Sequence, residues 1–377
     1  MEIRRALLPS VEERLFKGKV ITVVGARQVG KSTLFRHIIE QYGSDDVLQL
    51  NCDDPEVRAL LSEIPAPRMK MLVGQNRMVV IDEAQRVEGI GLTLKRMVEA
   101  FPDVQILVTG SSSIGIHGNL NEPLTGRKYE YELFPVSTAE VISSYGLHGA
   151  AQQLAQRLIY GSYPEIVTKP EDAVELLTQL SDSYLYKDLL EFEGIRKPAL
   201  LSKLLTALAL QVGSEVSYSE VAQTVGSDPK TVEKYVDLLE KCYVVFRLDG
   251  LSRNLRNELK RNKKIYFYDN GIRNALLRNY APMELRTDAG ALWENFFIIE
   301  RMKFNAYRGH HAKYYFWRTR TQQEIDLVEE YNGTFSVFEM KWNPRRAGAD
   351  IPSAFLTAYN PVSVNVVTPD NYIDFLV

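Results

Sequence analysis

The sequence has very little cysteine. Cys52 and Cys242 are the two cysteines in 377 residues, and a pair so far apart builds neither a disulfide framework nor a metal knuckle. Two buried thiols in a reducing compartment are expected. No apolar run is long enough to span a bilayer, and Met1 to Pro9 lacks the apolar stretch of a secretory leader. A cytoplasmic location without a membrane partner follows as the expectation. Charge of one sign is also scarce: 45 Lys and Arg face 48 Asp and Glu, for a net charge of −3. The chain is no polycation, so a nucleic-acid surface would have to be a local patch. The five histidines are scattered, with no cysteine or carboxylate at ligand spacing to suggest zinc.

An ordinary globular composition remains, with 45% hydrophobic and 25% charged residues, over a length that suggests two or three domains. The strongest local signal is Gly25-Ala26-Arg27-Gln28-Val29-Gly30-Lys31-Ser32. It fits G-x-x-x-x-G-K-[S/T], the loop that cradles nucleotide phosphates. Its flanks agree. Val20 to Val24 is an apolar, β-branched run that reads as a buried parallel strand, and Thr33 to Glu40 has apolar residues at helical spacing. Strand, loop and helix in that order aim backbone N–H groups and a positive helix end at an anion. Lys31 is placed to reach β- and γ-phosphates and Ser32 to hold Mg²⁺. Val47 to Asn51 reads as another strand, running into Cys52-Asp53-Asp54-Pro55. Residues 10–17 read as a short helix with Ser10 as its N-cap.

Met78-Val79-Val80-Ile81-Asp82-Glu83 is an apolar strand ending in two acids. Asp82 is expected at Mg²⁺ and Glu83 as the general base that polarises a water. Val104 to Val108 leads into Thr109-Gly110-Ser111-Ser112-Ser113, whose hydroxyls, Thr109 or Ser111, are candidates for sensing the γ-phosphate. Arg127, in Leu124-Thr125-Gly126-Arg127, is a candidate for reaching a γ-phosphate in its own subunit or in a neighbour's.

These segments together resemble the AAA+-type ATPases of bacteria and archaea. Gly25 to Ser32, Asp53-Asp54-Pro55, Ile81-Asp82-Glu83-Ala84-Gln85-Arg86, Thr109-Gly110-Ser111-Ser112 and Gly126-Arg127 carry the resemblance. In that family a C-terminal domain of unassigned function usually follows. The resemblance implies ATP and Mg²⁺ as cofactors and self-association, because such proteins turn nucleotide over at subunit interfaces.

The rest of the chain divides into three expected parts behind an ATPase core at 1–145. Residues 146–212 read as a helical lid, broken by Tyr160-Gly161-Ser162-Tyr163-Pro164-Glu165. Residues 213–280 read as a winged helix. Ser217 and Glu220 form a capping box for a helix from Tyr218 to Thr224, Gly226 ends it, and Ser227 or Asp228 caps the next, with Pro229 at its first position. That helix has a core-facing stripe of Val232, Tyr235, Val236, Leu238 and Leu239. Two alternating strands, 243–248 and 264–269, follow. Between 247 and 264 stand seven cations against Asp249 and Glu258. Arg253, Arg256, Lys260, Arg261, Lys263 and Lys264 are therefore the expected contacts to a DNA backbone.

Residues 281–377 read as an α/β domain. Glu294 lies on a helix, Asp326 on a strand, and Glu339 and Lys341 two apart on the next, hence on one side of it. Asp, then Glu-x-Lys on a strand, resembles the PD-(D/E)xK nuclease-like fold, also called restriction-endonuclease-like. The resemblance implies that Asp326 and Glu339 bind Mg²⁺ or Mn²⁺, with Glu294 nearby and Lys341 stabilising charge on phosphate. The whole is thus expected to be an α/β protein whose ATPase acts on or with DNA at ends, forks or junctions. An ATP-gated metal-dependent endonuclease and a regulatory switch with a protein-binding winged helix are the alternatives.

Overall fold

A computed structural model describes residues 2–43, 45–62, 64–111, 124–185, 197–252, 263–319, 321–346 and 351–377. It contains two compact units. One holds Arg4–Pro135 with Lys241–Tyr243, the other Met1–Ile3, Val136–Glu240 and Val244–Val377.

The first unit is built on a five-stranded sheet. In chain order it contains α1 (Leu8–Glu12), β1 (Val20–Val24), α2 (Lys31–Tyr42), β2 (Val47–Asn51), α3 (Pro55–Leu61), α4 (Ala66–Val73), β3 (Met78–Asp82), α5 (Ile90–Ala100), β4 (Gln105–Gly110) and β5 (Lys128–Glu132). The sheet order is β2-β3-β4-β1-β5, and every pairing is parallel. β1 and β4 are buried along their whole length, which is why their sequences are continuous apolar runs and do not alternate. The register sets Val23 beside Thr109 and Ile81 beside Val108. The carboxyl ends of β1, β3 and β4 therefore lie along one edge, where an open parallel sheet binds ligands. Ser10 does not cap a helix as expected: α1 starts two residues earlier, with Pro9 in its first turn, and leaves Ser10 in its middle.

The second unit contains α6 (Thr138–Tyr160), α7 (Pro164–Thr168), α8 (Ala173–Gln179), α9 (Pro198–Leu210), β6 (Glu215–Val216), α10 (Tyr218–Val225), α11 (Pro229–Lys241), β7 (Val245–Gly250), β8 (Lys263–Phe267), α12 (Asn270–Leu277), α13 (Ala289–Tyr307), β9 (Lys313–Arg318), β10 (Glu324–Tyr331), β11 (Thr334–Met340), α14 (Ser353–Tyr359) and β12 (Ser363–Val367). Gly161 ends α6 at φ 79°. A Cβ there would lie 1.8 Å from Asp269 Oδ1, so the turn at 160–165 admits no side chain at that position. Asp269 uses the close approach to accept from Ser162 N and to cap α12 through Gly271 N.

α10 and α11 form the expected pair of capped helices. Ser217 accepts from Glu220 N, Gly226 closes α10 in the left-handed region, and Asp228 accepts from Thr231 N at 2.9 Å. Val232, Tyr235, Val236 and Leu239 are buried. The antiparallel pair β7–β8 follows. This hairpin belongs to a larger sheet. β7 pairs in parallel with β9, so one seven-stranded sheet runs β12-β11-β10-β9-β7-β8-β6. Strands read from sequence as two modules share one hydrogen-bonded layer.

Both cysteines are buried, and no disulfide joins them. Burial pushes the Cys52 thiol up to about 12, which leaves it an inert core residue. Among the described residues no helix is long and apolar enough to cross a membrane.

Candidate nucleotide site and the C-terminal carboxylate cluster

The nucleotide-site candidates converge on the carboxyl edge of the five-stranded sheet. β1 ends at Val24, and Leu133 N donates to its carbonyl at 2.7 Å. The chain therefore passes so close at Gly25 that a Cβ would lie 2.1 Å from Leu133 O; only glycine fits. Gly30, at φ 96°, then turns the chain into α2, whose first residue is Lys31. Lys31 is buried, and its Nζ donates to Gly25 O at 2.9 Å and Ala26 O at 2.8 Å. The ammonium thus stands under the loop, at the helix end that favours an anion.

Ser32 Oγ donates to Asp82 Oδ2 at 2.9 Å. Thr109 Oγ1 donates to Asp82 Oδ1 and accepts from Glu83 N at 3.0 Å. One hydroxyl from β4 thereby fixes both acids at the end of β3. Glu83 sits in the left-handed region at φ 54°, a conformation a non-glycine residue holds only where its surroundings impose it. Gln85 Nε2 donates to Glu83 Oε2 and, at 2.9 Å, to Ser111 Oγ. Burial works to raise the Glu83 carboxyl, but Lys31, Gln85 and Ser111 outweigh it and hold the group below the usual range. Glu83 is ionised at neutral pH. The Ser32 hydroxyl and Asp82 carboxylate are hard oxygen donors of the kind Mg²⁺ takes, so this pair fits the ion.

Arg5 escaped the sequence reading. The residue is 4% exposed, and its guanidinium donates to Val29 O and, at 2.6 Å, to Phe134 O. It braces the phosphate-binding loop from beneath. No motif signals it, because its partners are carbonyls 24 and 129 residues away.

Arg127 is a correction in part. Val20 N donates to Arg127 O at 3.0 Å, which places Arg127 beside the amino end of β1. The five residues of that strand separate it from Gly25 by ~16 Å at ~3.3 Å per residue. Arg127 pairs with Glu99 at 3.1 Å and does not reach the phosphate site of its own chain.

The second cluster lies in the seven-stranded unit. Glu339 and Lys341 meet as expected, with Lys341 Nζ donating to Glu339 Oε2 at 2.9 Å. Asp326 Oδ2 accepts from Met340 N at 2.9 Å, and Glu339 Oε1 faces Asp326 N at 3.4 Å. Glu294 joins them from α13, accepting from Tyr266 Oη and from Lys264 Nζ, the latter at 3.2 Å. Glu324 Oε1 lies 2.5 Å from the same ammonium. Lys264 is a correction: its side chain is 2% exposed, so it presents no charge to an outside phosphate. Burial works against the ammonium, but Glu294 and Glu324 outweigh it and keep Lys264 charged. Burial also pushes Glu294 up to about 7 and raises Asp326 and Glu339. Alternation gave the signal for Glu324 and Tyr266, since each stands two residues from a cluster member on its own strand.

Lys263 pairs with Asp249 at 3.2 Å. Arg253, Arg256, Lys260 and Arg261 lie outside the described residues. Among the described residues no group of three or more His, Cys, Asp or Glu is arranged to hold a metal ion. The Asp326–Glu339 pair expected to take one does not fit: beside the lysine of the motif, the buried Lys264 ammonium already supplies a second positive charge there.

Comparison with known proteins agrees with the front of the chain. Residues 17–142 match an AAA domain. The likeness to AAA+-type ATPases read from Gly25–Ser32 and Asp82–Glu83 falls within that AAA domain. Behind it, residues 151–282 and 289–373 match two domains of unknown function, DUF8612 and DUF4143, and neither match supports a nuclease. An uncharacterized protein of Mycobacterium tuberculosis is 29% identical over 344 residues, covering 90% of this chain and 74% of its own. One from Haemophilus influenzae is 28% identical over 275 residues, covering 68% of each. Among solved structures, Cdc6p of Pyrobaculum aerophilum aligns with 74% of this chain and 92% of its own at 15% identity, with a TM-score of 0.28. A likeness at that score carries no argument about this chain.

Proposed function

We propose that the chain binds and hydrolyses ATP at the carboxyl edge of the five-stranded sheet and uses the turnover on DNA. The convergence of Lys31, Ser32, Asp82, Glu83 and Thr109 at one edge, from three separate strand ends, supports this most directly. In this reading the backbone from Gly25 to Thr33, through Ala26, Arg27, Gln28, Val29 and Gly30, cradles the phosphates, and Lys31 exchanges its loop carbonyls for phosphate oxygens. Ser32 and Asp82 hold Mg²⁺, which neutralises phosphate charge when bound. Glu83 takes the proton of the attacking water, and Ser111 keeps Gln85 and Glu83 in place.

The DNA part rests on the helix pair α10–α11 with its hairpin, read as a winged helix, and on Arg253, Arg256, Lys260 and Arg261. Lys264 no longer belongs to that set, and Lys263 shares its charge with Asp249. The contacts proposed are to the backbone, so binding should weaken steeply with salt. ATPase rate measured against single-stranded, duplex, forked and four-way DNA over a salt series tests it. Stimulation that fades with salt is expected; a rate indifferent to every DNA and to salt overturns the DNA reading and leaves the ATPase.

Self-association belongs to the same proposal. Arg127 lies too far from its own phosphate site, so its role as a γ-phosphate contact requires a neighbouring subunit. Arg127→Ala should then lower kcat by ~10³-fold or more with nucleotide affinity nearly unchanged. Mixing it with Lys31→Ala subunits should restore part of the rate, since intact sites can then form at mixed interfaces. A monomer mass in the active buffer, or full activity of Arg127→Ala, removes the arginine from the site.

A further inference from the structure

The cluster at Glu294, Glu324, Asp326 and Glu339 has the acids of a metal centre without its vacancy. We infer that Lys264, with Lys341, is its resident cation, making the cluster a closed ion lock between the hairpin and the C-terminal strands and not a divalent-metal site.

Local structure puts the groups there. Lys264 and Tyr266 stand two apart on β8 and face the same way; both reach Glu294 of α13. Glu324 and Asp326 stand two apart on β10, where a register irregularity lies between Ile325 and Val328. Such irregularities re-aim side chains. Glu339 is the next-to-last residue of β11, with Lys341 just beyond the strand. The cluster thus collects side chains from both ends of the shared sheet. Lys264 and Tyr266 cross from the hairpin to Glu294, and Lys264 also reaches Glu324.

At least one oxygen of each acid already has a partner. The Lys264 ammonium lies 3.2 Å from Glu294 Oε1 and 2.5 Å from Glu324 Oε1. It also lies 5.5 Å from the centre of the Phe316 ring, an attractive position for a cation over an aromatic face. Asp326 Oδ2 is held by Met340 N, and Glu339 Oε2 by Lys341. Mg²⁺ demands six oxygens at about 2.0–2.1 Å. It would have to enter beside a buried ammonium that is bound to Glu294 and Glu324 and whose charge acts on Asp326, and like charges close together in a dry site repel strongly. An ammonium donates three hydrogen bonds without needing octahedral geometry, so it satisfies acids brought from different strands where a small hard ion would not.

The lock also accounts for one cation of the basic hairpin. Lys264 faces inward, as the counter-ion of acids 30 and 60 residues downstream, and belongs to no outward-facing phosphate surface.

The test uses the full chain without nucleotide, so that the phosphate-binding loop contributes no metal site. Mn²⁺ binding is followed by electron paramagnetic resonance, and thermal melting is recorded in chelator and in Mn²⁺. The unaltered protein and Asp326→Asn should give the same Mn²⁺ titration, and neither should nick plasmid DNA. Lys264→Met, which keeps the length and apolar stem, should melt lower in chelator, gain one Mn²⁺ and recover part of its melting temperature in Mn²⁺. Adding Asp326→Asn to Lys264→Met should abolish that gain. If the unaltered protein binds one Mn²⁺ that Asp326→Asn weakens tenfold or more, or nicks DNA in a way that Asp326→Asn stops, the cluster is a metal centre and the lock is wrong. A soluble Lys264→Met that gains no Mn²⁺ overturns the claim that the lysine fills the ion's place. Should Lys264→Met fail to fold, the comparison of the unaltered protein with Asp326→Asn still decides.

Discussion

Glu83→Gln should bind ATP as tightly as the unaltered protein and hydrolyse it ~10²–10⁴-fold more slowly, the range a positioned general base contributes. The geometry separates the two effects. Glu83 contributes no hydrogen-bond donor to a phosphate, and its backbone is fixed by Thr109. Glutamine keeps the side-chain length and the oxygen that accepts from Gln85, but it cannot take a proton. Lys31→Ala should do the opposite. It removes the charge under the loop, so nucleotide affinity itself should fall, and with it the rate at any accessible concentration. A fluorescent ATP analogue titrated against both variants, with phosphate release measured in parallel, checks the split. Equal loss of binding in both would mean that Glu83 organises the loop and does not act on water. Hydrolysis retained in both would overturn the site.

That site was legible because nearly all of it is contiguous. Loop, Lys31 and Ser32 occupy one eight-residue run, and Asp82–Glu83 ends a strand whose four apolar residues announce it. What the sequence hid is long-range pairing. The basic stretch 247–264 was read by counting its cations, yet a count does not say where they point. Arg247 lies 2.6 Å from Asp237, and Lys264 turns inward to Glu294 and Glu324. Local composition predicts a solvated patch; the fold supplies distant acids that cancel part of it. Arg127 failed in its own chain for a similar reason: its place in the sequence gave no hint that β5 begins at the far edge of the sheet. The boundary set near 280 falls close to the gap between the two family matches, which end at 282 and begin at 289, yet one sheet runs across it. The pairing of β7 with β9 could not be read from either strand, since each alternates as an edge or a central strand would.

The other large effect concerns stability. Glu300 of α13 is buried with Arg157 of α6 and with Lys303; their side chains are 1%, 2% and 1% exposed. Arg157 Nη2 donates to Glu300 Oε1 at 3.0 Å, and Lys303 Nζ donates to the same oxygen at 2.7 Å. Thr138 N donates to Oε2 at 2.5 Å, while Arg157 also holds Ser162 Oγ and Thr138 Oγ1. One carboxylate thus answers two buried cations and the first turn of α6. Glu300→Ala should cost ~3–5 kcal/mol, the penalty for leaving a buried ion without its partner, and Glu300→Gln nearly as much, since it keeps shape but not charge. Burial works to raise the Glu300 carboxyl, yet Lys303 and Arg157 outweigh it and hold the group below its usual value. A depressed carboxyl binds its proton less readily folded than unfolded. Its stabilisation is therefore complete above the unfolded value of ~4.3 and is lost as pH falls through the lower folded value. Urea melts of the unaltered protein and Glu300→Gln should differ by a constant free energy from neutrality down to pH ~5, and the two should converge only in stronger acid. A difference that shrinks as pH rises from 6 to 8 would mean that Lys303, whose ammonium burial disfavours, gives up its charge in the native protein.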